Sequence, residues 1–269
     1  MPQLSPSDFV DRLFAIPELV LVILAVVMAA REVCVLFVRE RAGVARARAV
    51  ATNVFTGALQ SVASVAGLAL WLPLFTAVFE SSPLALPVAL WVVPLAILVV
   101  DFFDYWSHRA SHASRTLWAI GHSVHHSANH FDASVGLRVS FVESLVMPAF
   151  YLPAAALLHP AVLVGALGFT LLYQQWVHTE HIGRLGWFDR WFDSPSNHRV
   201  HHGANAAYVD RNFGSLTMLW DRMFGTYATE QEPPVYGLTP RLGSNHPWDV
   251  HTAELRRWIA EVRGAPPRP

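Results

Sequence analysis

The segment Ala49–Phe79, AVATNVFTGALQSVASVAGLALWLPLFTAVF, contains no Asp, Glu, Lys or Arg over its thirty-one residues. A helix needs only about 20 such residues to cross about 30 Å of hydrocarbon. The whole chain has the same bias, because 53% of its 269 residues are hydrophobic and only 14% are charged. Soluble domains have about 25% charged residues. The sequence therefore predicts an integral membrane protein.

Two further apolar segments flank this one and predict a first and a third spanning helix. Glu18–Val38 is interrupted only by Arg31 and Glu32, which lie near its end and can pair with each other or extend toward the headgroups. Ser81–Val100 has twenty uncharged residues before Asp101, the length of one crossing.

A fourth uncharged segment, Ser144–Thr179, is too long for one crossing. As a single helix its thirty-six residues would reach about 54 Å. Pro153, together with His159 and Pro160, offers break points for a helical hairpin that enters and leaves by the same face. The predicted fold class is an all-α integral membrane protein, with about three spanning helices, this hairpin and a histidine-rich helical cap.

The placement of arginine predicts the orientation in the membrane. The loop after Phe79 has Glu80 and no arginine, whereas four arginines lie between the first two helices: Arg39, Arg41, Arg46 and Arg48. By the positive-inside rule the first loop is cytosolic, so the histidine-rich region after the third helix is cytosolic too. We therefore expect transmembrane helices over 1–100, a histidine domain with its hairpin (144–179) over 101–230, and a cytosolic segment over 231–269 whose tail, Gly264–Pro269, is disordered.

Twelve of the fourteen histidines fall between His108 and His202. Residues three or four apart on a helix share a face, with β-carbons about 6 Å apart, so a group of histidines at this spacing can direct its rings at one point. The groups are His108 and His112; His122, His125 and His126; His178 and His181; and His198, His201 and His202. This spacing is typical of metal ligands.

The number and type of these side chains predict two metal ions. Imidazole nitrogen suits iron, zinc, copper and nickel, and ten clustered histidines exceed the four to six ligands of one ion. The only cysteine is Cys34, which excludes an intrachain disulfide and a cysteine-based metal site. Two irons can share an oxygen molecule and its electrons, whereas zinc performs no redox chemistry. Iron is therefore favoured over zinc by its chemistry and not by its affinity for imidazole.

Several further polar residues are candidates for the ligands of such a site or for their outer partners. His181 and His130 could be ligands or outer partners of ligands, while His159, His246 and His251 belong to no group and are expected to be ordinary polar residues. Carboxylates should orient the ligand rings, or else cap helices and pair with arginines. The candidates are Asp101, Asp104, Glu143, Glu180, Asp189 and Asp193.

Three strings resemble the histidine boxes of the fatty acid hydroxylase or sterol desaturase superfamily: HRASH (108–112), HSVHH (122–126) and HRVHH (198–202). The resemblance runs from Asp101 to Tyr227, includes NFGSLTMLWDRMFGTY (212–227), and is greatest to the bacterial, alkylglycerol-monooxygenase-like branch. It implies a helical membrane domain with a cytosolic di-iron centre, here in a bacterial inner membrane. The implied metal ligands are His108, His112, His122, His125, His126, His198, His201 and His202, with His178 in the string HTE.

The resemblance further implies an oxidoreductase that uses O2 and external electrons to hydroxylate a C–H bond of an acyl, alkyl, sterol or isoprenoid chain. We expect no fused cytochrome b5-like domain, so the electrons would come from a separate electron-transfer protein or a reduced pterin. A lipid desaturase or an ether-cleaving monooxygenase would use the same metals, and a zinc hydrolase would need no electron donor. A metal transporter ranks lowest, because the spanning segments Ala49–Phe79 and Ser81–Val100 contain no His, Asp, Glu or Arg to line a pathway. The net charge of −1, without a dense basic patch, excludes nucleic acid as a partner.

Overall fold

A computed structural model describes residues 6–39 and 41–264 of the chain. Regular structure in these ranges is helical, and we number the α-helices in chain order. They are α1 (Pro6–Cys34), α2 (Val44–Ser81), α3 (Val92–Ala113), α4 (Arg115–Leu117), α5 (Ser123–His126), α6 (Phe141–Val146), α7 (Leu152–Ala155), α8 (Pro160–Tyr173), α9 (Phe188–Trp191), α10 (Pro195–His201), α11 (Leu219–Phe224) and α12 (Pro247–Val262). Short π-helical turns cover Val35–Arg39 and Trp118–His122, and 3₁₀ turns cover Ala133–Leu137 and Met147–Tyr151.

Two helical segments among the described residues are long and apolar enough to cross a membrane: Leu19–Val38 and Val44–Ser81. Only 12% and 11% of their most apolar stretches are buried inside the protein. The core helix of a soluble protein would instead be mostly buried. Large aliphatic side chains on α2 point outward, with Val62 71% and Val65 72% exposed. This surface is suited to lipid, as the first two predicted helices require.

The helix α2 also supports the cap that carries the histidines. Its 38 residues would reach about 57 Å, well beyond the thickness of the hydrocarbon layer. The N-terminal part of α2 is buried against the cap, where Asn53 Nδ2 donates to Ser134 Oγ at 2.7 Å. Thr56 Oγ1 donates to the Leu137 carbonyl at 3.2 Å. The same helix therefore connects the apolar region to the cap.

The predicted third helix over Ser81–Val100 is wrong in its first half. The chain after Ser81 forms turns and irregular structure, and α3 begins only at Val92 and continues past Asp101 to Ala113. Pro83 and Pro87 explain the late start, because proline interrupts helical hydrogen bonding. The second half of α3 has Asp101 and Asp104 buried within the protein. The helix is thus displaced toward the cap and delivers the first histidine box directly.

Two short helical arms separated at His159 occupy most of the predicted hairpin segment. The first runs through Phe141–Ala155 and the second is α8, Pro160–Tyr173. His159 caps α8, because its Nδ1 accepts a hydrogen bond from the Ala161 amide at 3.2 Å. Each arm spans about 22 Å, less than a full crossing. The second arm packs against α1 and α3 and the first against α2, around a core that includes Val92, Ala96, Tyr151 and Leu163.

The C-terminal helix α12 packs on the second histidine box. Arg115, just after the first box, pairs with Glu254 at 2.9 Å and Glu261 at 2.9 Å. The ring of His251 lies 5.6 Å from that of Phe141. Most of the predicted disordered tail, residues 265–269, lies outside the described residues.

Candidate metal centre

Each histidine box lies at the end of a helix. His108 and His112 lie in the last turns of α3, and His122 ends the π-helical turn that leads into α5 with His125 and His126. The third box is on α10, where Ser194 Oγ accepts from the Asn197 amide at 3.4 Å and Pro195 occupies the first helical position. Serine before proline is a strong helix start, which accounts for the start of α10 at Pro195.

Nine of the predicted ligands form two adjacent clusters. In each cluster one nitrogen of every ring lies within 4.8 Å of all the others. The clusters touch, since the rings of His126 and His202 stack at 4.5 Å. We call them the first cluster, with His108, His112, His122, His126 and His201, and the second cluster, with His125, His178, His198 and His202.

A simple spacing rule describes how the boxes divide between the clusters. In every box the two histidines four residues apart share a cluster. The histidine three residues after the start of a box goes to the other cluster, as for His125 and His201. At about 100° per residue, positions i+3 and i+4 lie on opposite sides of position i. A box of the form H-x2-H-H therefore directs its rings into both clusters.

The Nε2 atoms of each cluster lie as close together as hydrogen-bond partners do. His108 and His122 have their Nε2 atoms 3.1 Å apart, and His126 and His201 have theirs 3.0 Å apart. In the second cluster His178 lies 3.3 Å from His125 and 3.0 Å from His198. Metal–nitrogen bonds of about 2.1 Å place neighbouring nitrogens about 3.0 Å apart in an octahedral site and about 3.4 Å apart in a tetrahedral one. The observed spacing fits rings around an ion.

The opposite ring nitrogens show which tautomer these histidines adopt. Backbone carbonyls only accept hydrogen bonds, so the Nδ1 atom facing each one must carry the proton. In the first cluster His108 Nδ1 donates to the Phe213 carbonyl at 2.9 Å, and His201 Nδ1 to that of Arg211 at 3.0 Å. The unprotonated Nε2 then points into the cluster, which is the arrangement of a metal ligand with a fixed outer partner.

The same arrangement recurs in the second cluster. His125 Nδ1 donates to the Arg138 carbonyl at 3.2 Å, and His178 Nδ1 donates to the Gln174 carbonyl at 3.0 Å. The two Nε2 atoms that face each other are therefore both lone-pair acceptors and cannot bond to one another. A cation between them removes that conflict.

Three carboxylates face three of the five remaining outer nitrogens. Glu143 Oε1 lies 2.9 Å from His122 Nδ1, and Asp193 Oδ2 lies 3.2 Å from His198 Nδ1. The second contact lacks hydrogen-bond geometry, since neither of its two atoms has a hydrogen-bond partner. Asp210 Oδ1 lies 3.5 Å from His112 Nδ1. Of the six carboxylates that the sequence suggests, only Glu143 and Asp193 approach a cluster.

The remaining predicted carboxylates have other surroundings. Asp101 accepts from Trp220 Nε1 at 2.9 Å, Asp104 accepts from the Tyr151 hydroxyl, and Asp189 accepts from the Leu185 amide at 2.7 Å. Glu180 is exposed. The three buried aspartates support the fold around the clusters, and none of the four residues contacts the ligands.

Burial lowers the pKa of eight of the nine cluster histidines and keeps them neutral. Loss of solvent, followed by the proximity of His178, lowers the pKa of His125 well below its usual value. Burial likewise lowers the pKa of His112 to about 4, although Asp210 acts in the opposite direction. Neutral imidazole is the form that binds metal, so the rings are ready as ligands at neutral pH.

The other two candidate ligands, His130 and His181, lie outside both clusters. His130 is exposed at a bend. His181 Nε2 lies 3.6 Å from Glu32 Oε1, whose other oxygen accepts from Thr179 Oγ1 at 3.2 Å. His181 thus belongs to a buried contact with α1, close to His178 but separate from the second cluster. Three histidines outside the boxes also remain apart: His159, His246 and His251.

Arg138 joins the second box to α2. Its side chain is fully buried, with Nη1 donating to Asn53 Oδ1 at 2.9 Å and Nε to Ser127 Oγ at 2.9 Å. Its carbonyl is the acceptor for His125. Neither Arg138 nor the carbonyls of Phe213, Arg211 and Gln174 could be predicted from spacing, because a backbone acceptor has no characteristic residue type.

The part of the chain that contains both clusters also matches known proteins in sequence. The fatty acid hydroxylase family model matches residues 93–226, which contain all nine histidines of the two clusters. Alkylglycerol monooxygenase of Danio rerio is 43% identical over 160 residues, which are 60% of this chain and 36% of that protein. The human alkylglycerol monooxygenase is 41% identical over 165 residues, 61% of this chain and 37% of that protein.

A bacterial relative matches over a longer part of the chain. The ornithine lipid hydroxylase of Rhizobium tropici is 28% identical over 190 residues, 68% of this chain and 56% of that protein. The chain spans little more than a third of the alkylglycerol monooxygenases, at 36% and 37%. No protein of solved structure gives a match.

Proposed function

Because the chain belongs to the fatty acid hydroxylase family, we propose that it is a di-iron, O2-dependent oxygenase that hydroxylates a C–H bond of a lipid. The observation that carries the proposal is the convergence of nine imidazoles, by one ring nitrogen each, into two touching clusters. Two irons held there would supply the redox chemistry of oxygen activation, which zinc cannot supply. The cofactors are then two iron ions and O2, with an external electron donor, either a separate electron-transfer protein or a reduced pterin.

The protein residues contribute placement and exclusion of water. The first cluster would hold one ion with five rings and the second would hold the other with four. Carbonyls of Phe213, Arg211, Arg138 and Gln174 keep the ring protons on Nδ1. Rings whose orientation is already set bind metal without a further loss of side-chain freedom.

The lipid reaches the site from the membrane side of the cap. A narrow crevice beside the first cluster is lined by Gly121, Glu143 and apolar side chains that include Ile120, Val146 and Met147. Glu143 is also the outer partner of His122. The crevice holds only about 10 Å³, so it would have to widen before a methylene chain could enter between these apolar residues and meet the first cluster.

The site lies on the cytosolic side in this proposal, in a bacterial inner membrane. The end of α2 that carries the arginines is also the end that packs on the cap, and Arg46 pairs with Asp132 of the cap at 2.8 Å. If the positive-inside rule places those arginines in the cytosol, it places the clusters there as well.

Ether cleavage is the second candidate, and the 43% identity to an alkylglycerol monooxygenase favours it. Hydroxylation of the carbon bonded to an ether oxygen gives a hemiacetal, which breaks into an alcohol and an aldehyde. Hydroxylation elsewhere on the chain leaves the lipid whole with an added hydroxyl, and desaturation adds no oxygen. The products therefore distinguish the three outcomes.

The test is elemental analysis of the purified, detergent-solubilised protein together with lipid analysis of cells that express it. We expect two iron ions per chain and an O2-dependent oxidised lipid that is missing with His125→Ala. One equivalent of zinc without any lipid change would contradict the proposal. Reconstitution with Fe²⁺ before the assay prevents zinc acquired during overexpression from deciding the result.

A further inference from the structure

The short segment Asp210–Phe213 lies along the outside of the first cluster. Within four residues it faces the outer nitrogens of three of the five histidines. Asp210 Oδ1 lies 3.5 Å from His112 Nδ1. The carbonyls of Arg211 and Phe213 accept from His201 and His108 at 3.0 and 2.9 Å.

Two residues of this segment adopt a left-handed backbone conformation. Asp210 and Asn212 have φ of 57° and 55°, in the left-handed region. Among residues other than glycine, Asp and Asn tolerate this region best. The alternation lets the carbonyls of Arg211 and Phe213 meet rings of the same cluster.

Buried polar side chains hold the segment in this conformation. Asn212 Nδ2 donates to the Ala228 carbonyl at 2.8 Å, and its Oδ1 accepts from the Ala228 amide at 2.8 Å. Asp221, which is fully buried, accepts from the amides of Phe213 at 2.8 Å and Gly214 at 2.7 Å. A β-carbon on Gly214 would lie 2.3 Å from the Thr217 carbonyl oxygen, so glycine is required for this approach.

We propose that Asp210–Phe213 forms the outer hydrogen-bond frame of the first cluster, and that Asp221 and Asn212 are its positioning residues. Asp221 acts through the Phe213 peptide: it binds the amide, and the carbonyl of the same residue orients His108. The second cluster has no such segment among the described residues, because its outer partners come from Arg138, Gln174 and Asp193. This inference rests on the proposed metal pair.

The substitution Asp221→Asn tests the frame. The new NH2 group would replace one of the two carboxylate oxygens and cannot accept from the backbone N–H that it faces, so one of the two amide contacts is lost. Because the amides of Phe213 and Gly214 flank the Phe213 carbonyl, that carbonyl shifts from His108. Loss of outer partners lowers metal affinity by about 10- to 100-fold. We expect that change at the first cluster and none at the second, measured as metal retained per chain across a series of chelator concentrations.

Asp101→Asn is the matched control. Asp101 is equally buried and accepts from the amides of Leu216 and Thr217 at 2.9 and 3.2 Å and from Trp220 Nε1 at 2.9 Å, without touching Asp210–Phe213. Both variants should unfold at a lower temperature in detergent, but only Asp221→Asn should release the metal of the first cluster. Equal release by the two variants would make the role of Asp221 merely structural and overturn the inference.

Two ligand variants of this chain serve as references that identify which cluster loses its ion. His112→Ala removes a ligand of the first cluster only, and His178→Ala removes one of the second only. The visible spectrum of Asp221→Asn loaded with Co²⁺ should approach that of His112→Ala. Wild-type protein without two metal ions overturns the proposed function and this inference together. Wild-type protein with two ions, combined with an Asp221→Asn form that keeps both at wild-type affinity, overturns this inference alone.

Discussion

The two histidine clusters differ in number, burial and support. The first has five rings, and His108 and His112 are only partly buried. It is framed by one segment after the third box and borders the crevice beside Glu143. The second has four rings, all buried. Phe131, 1% exposed, covers it, with its ring 5.0 Å from that of His202 and stacked on Tyr236.

This difference teaches that three similar boxes build two unlike sites. Four rings leave more positions of an ion free than five do, and deep burial excludes water from them. The first cluster is closer to solvent, through Asp210, whose side chain is 67% exposed. In our proposal the first site is therefore the one that exchanges its ion more readily.

Removal of one ligand from each cluster should have the largest effect. We expect His112→Ala to lose the ion of the first cluster and His125→Ala that of the second, with activity down by more than the roughly 100-fold that outer partners produce. Metal per chain and lipid oxidation measure this. A double variant that loses no more metal than either single variant would show that the nine rings bind one ion together.

The outer carboxylates should have the next largest effect, each on its own cluster. Glu143→Gln should weaken the metal of the first cluster and Asp193→Asn that of the second, by about 10- to 100-fold. Chelator titration measures both. Asp189→Asn is the control, because Asp189 is also buried but bonds the Leu185 amide and touches neither cluster. If both variants weaken the same ion, the separation of the two outer spheres is wrong.

The smallest effect should follow from Gly121→Ala. A β-carbon there would lie 2.8 Å from Glu143 Cγ. Crowding of this kind costs about 1–3 kcal/mol. We expect a lower unfolding temperature in detergent and a shift of Glu143 away from His122. Gly183→Ala should change nothing, because no atom lies within 4 Å of its added carbon. In a Glu143→Ala background the Gly121→Ala change should be tolerated, and a penalty that persists there would point to another neighbour.

The sequence predicted several features of the fold that depend on consecutive residues. Hydropathy alone predicted Glu18–Val38 and Ala49–Phe79, which overlap the apolar helical segments Leu19–Val38 and Val44–Ser81, and the proline after His159 predicted the break before α8. It misplaced the start of α3, because an uncharged segment with Pro83 and Pro87 has the composition of a span without its helical continuity. Hydropathy counts charges and does not register backbone hydrogen bonds.

For the site, spacing indicated which histidines share a helix face, since i and i+4 lie on the same side. The expectation that each box directs all its rings at one point is wrong for His125 and His201, which join the opposite cluster. The remaining contacts of the site depend on how the chain packs. His178 joins rings 20 and 53 residues away, and His181 faces Glu32 instead of the second cluster. Backbone carbonyls orient four of the ligands. Such contacts join residues that are distant in sequence, and a carbonyl is the same in every residue type. Spacing can therefore predict the ligands, but the packing of the cap selects their partners.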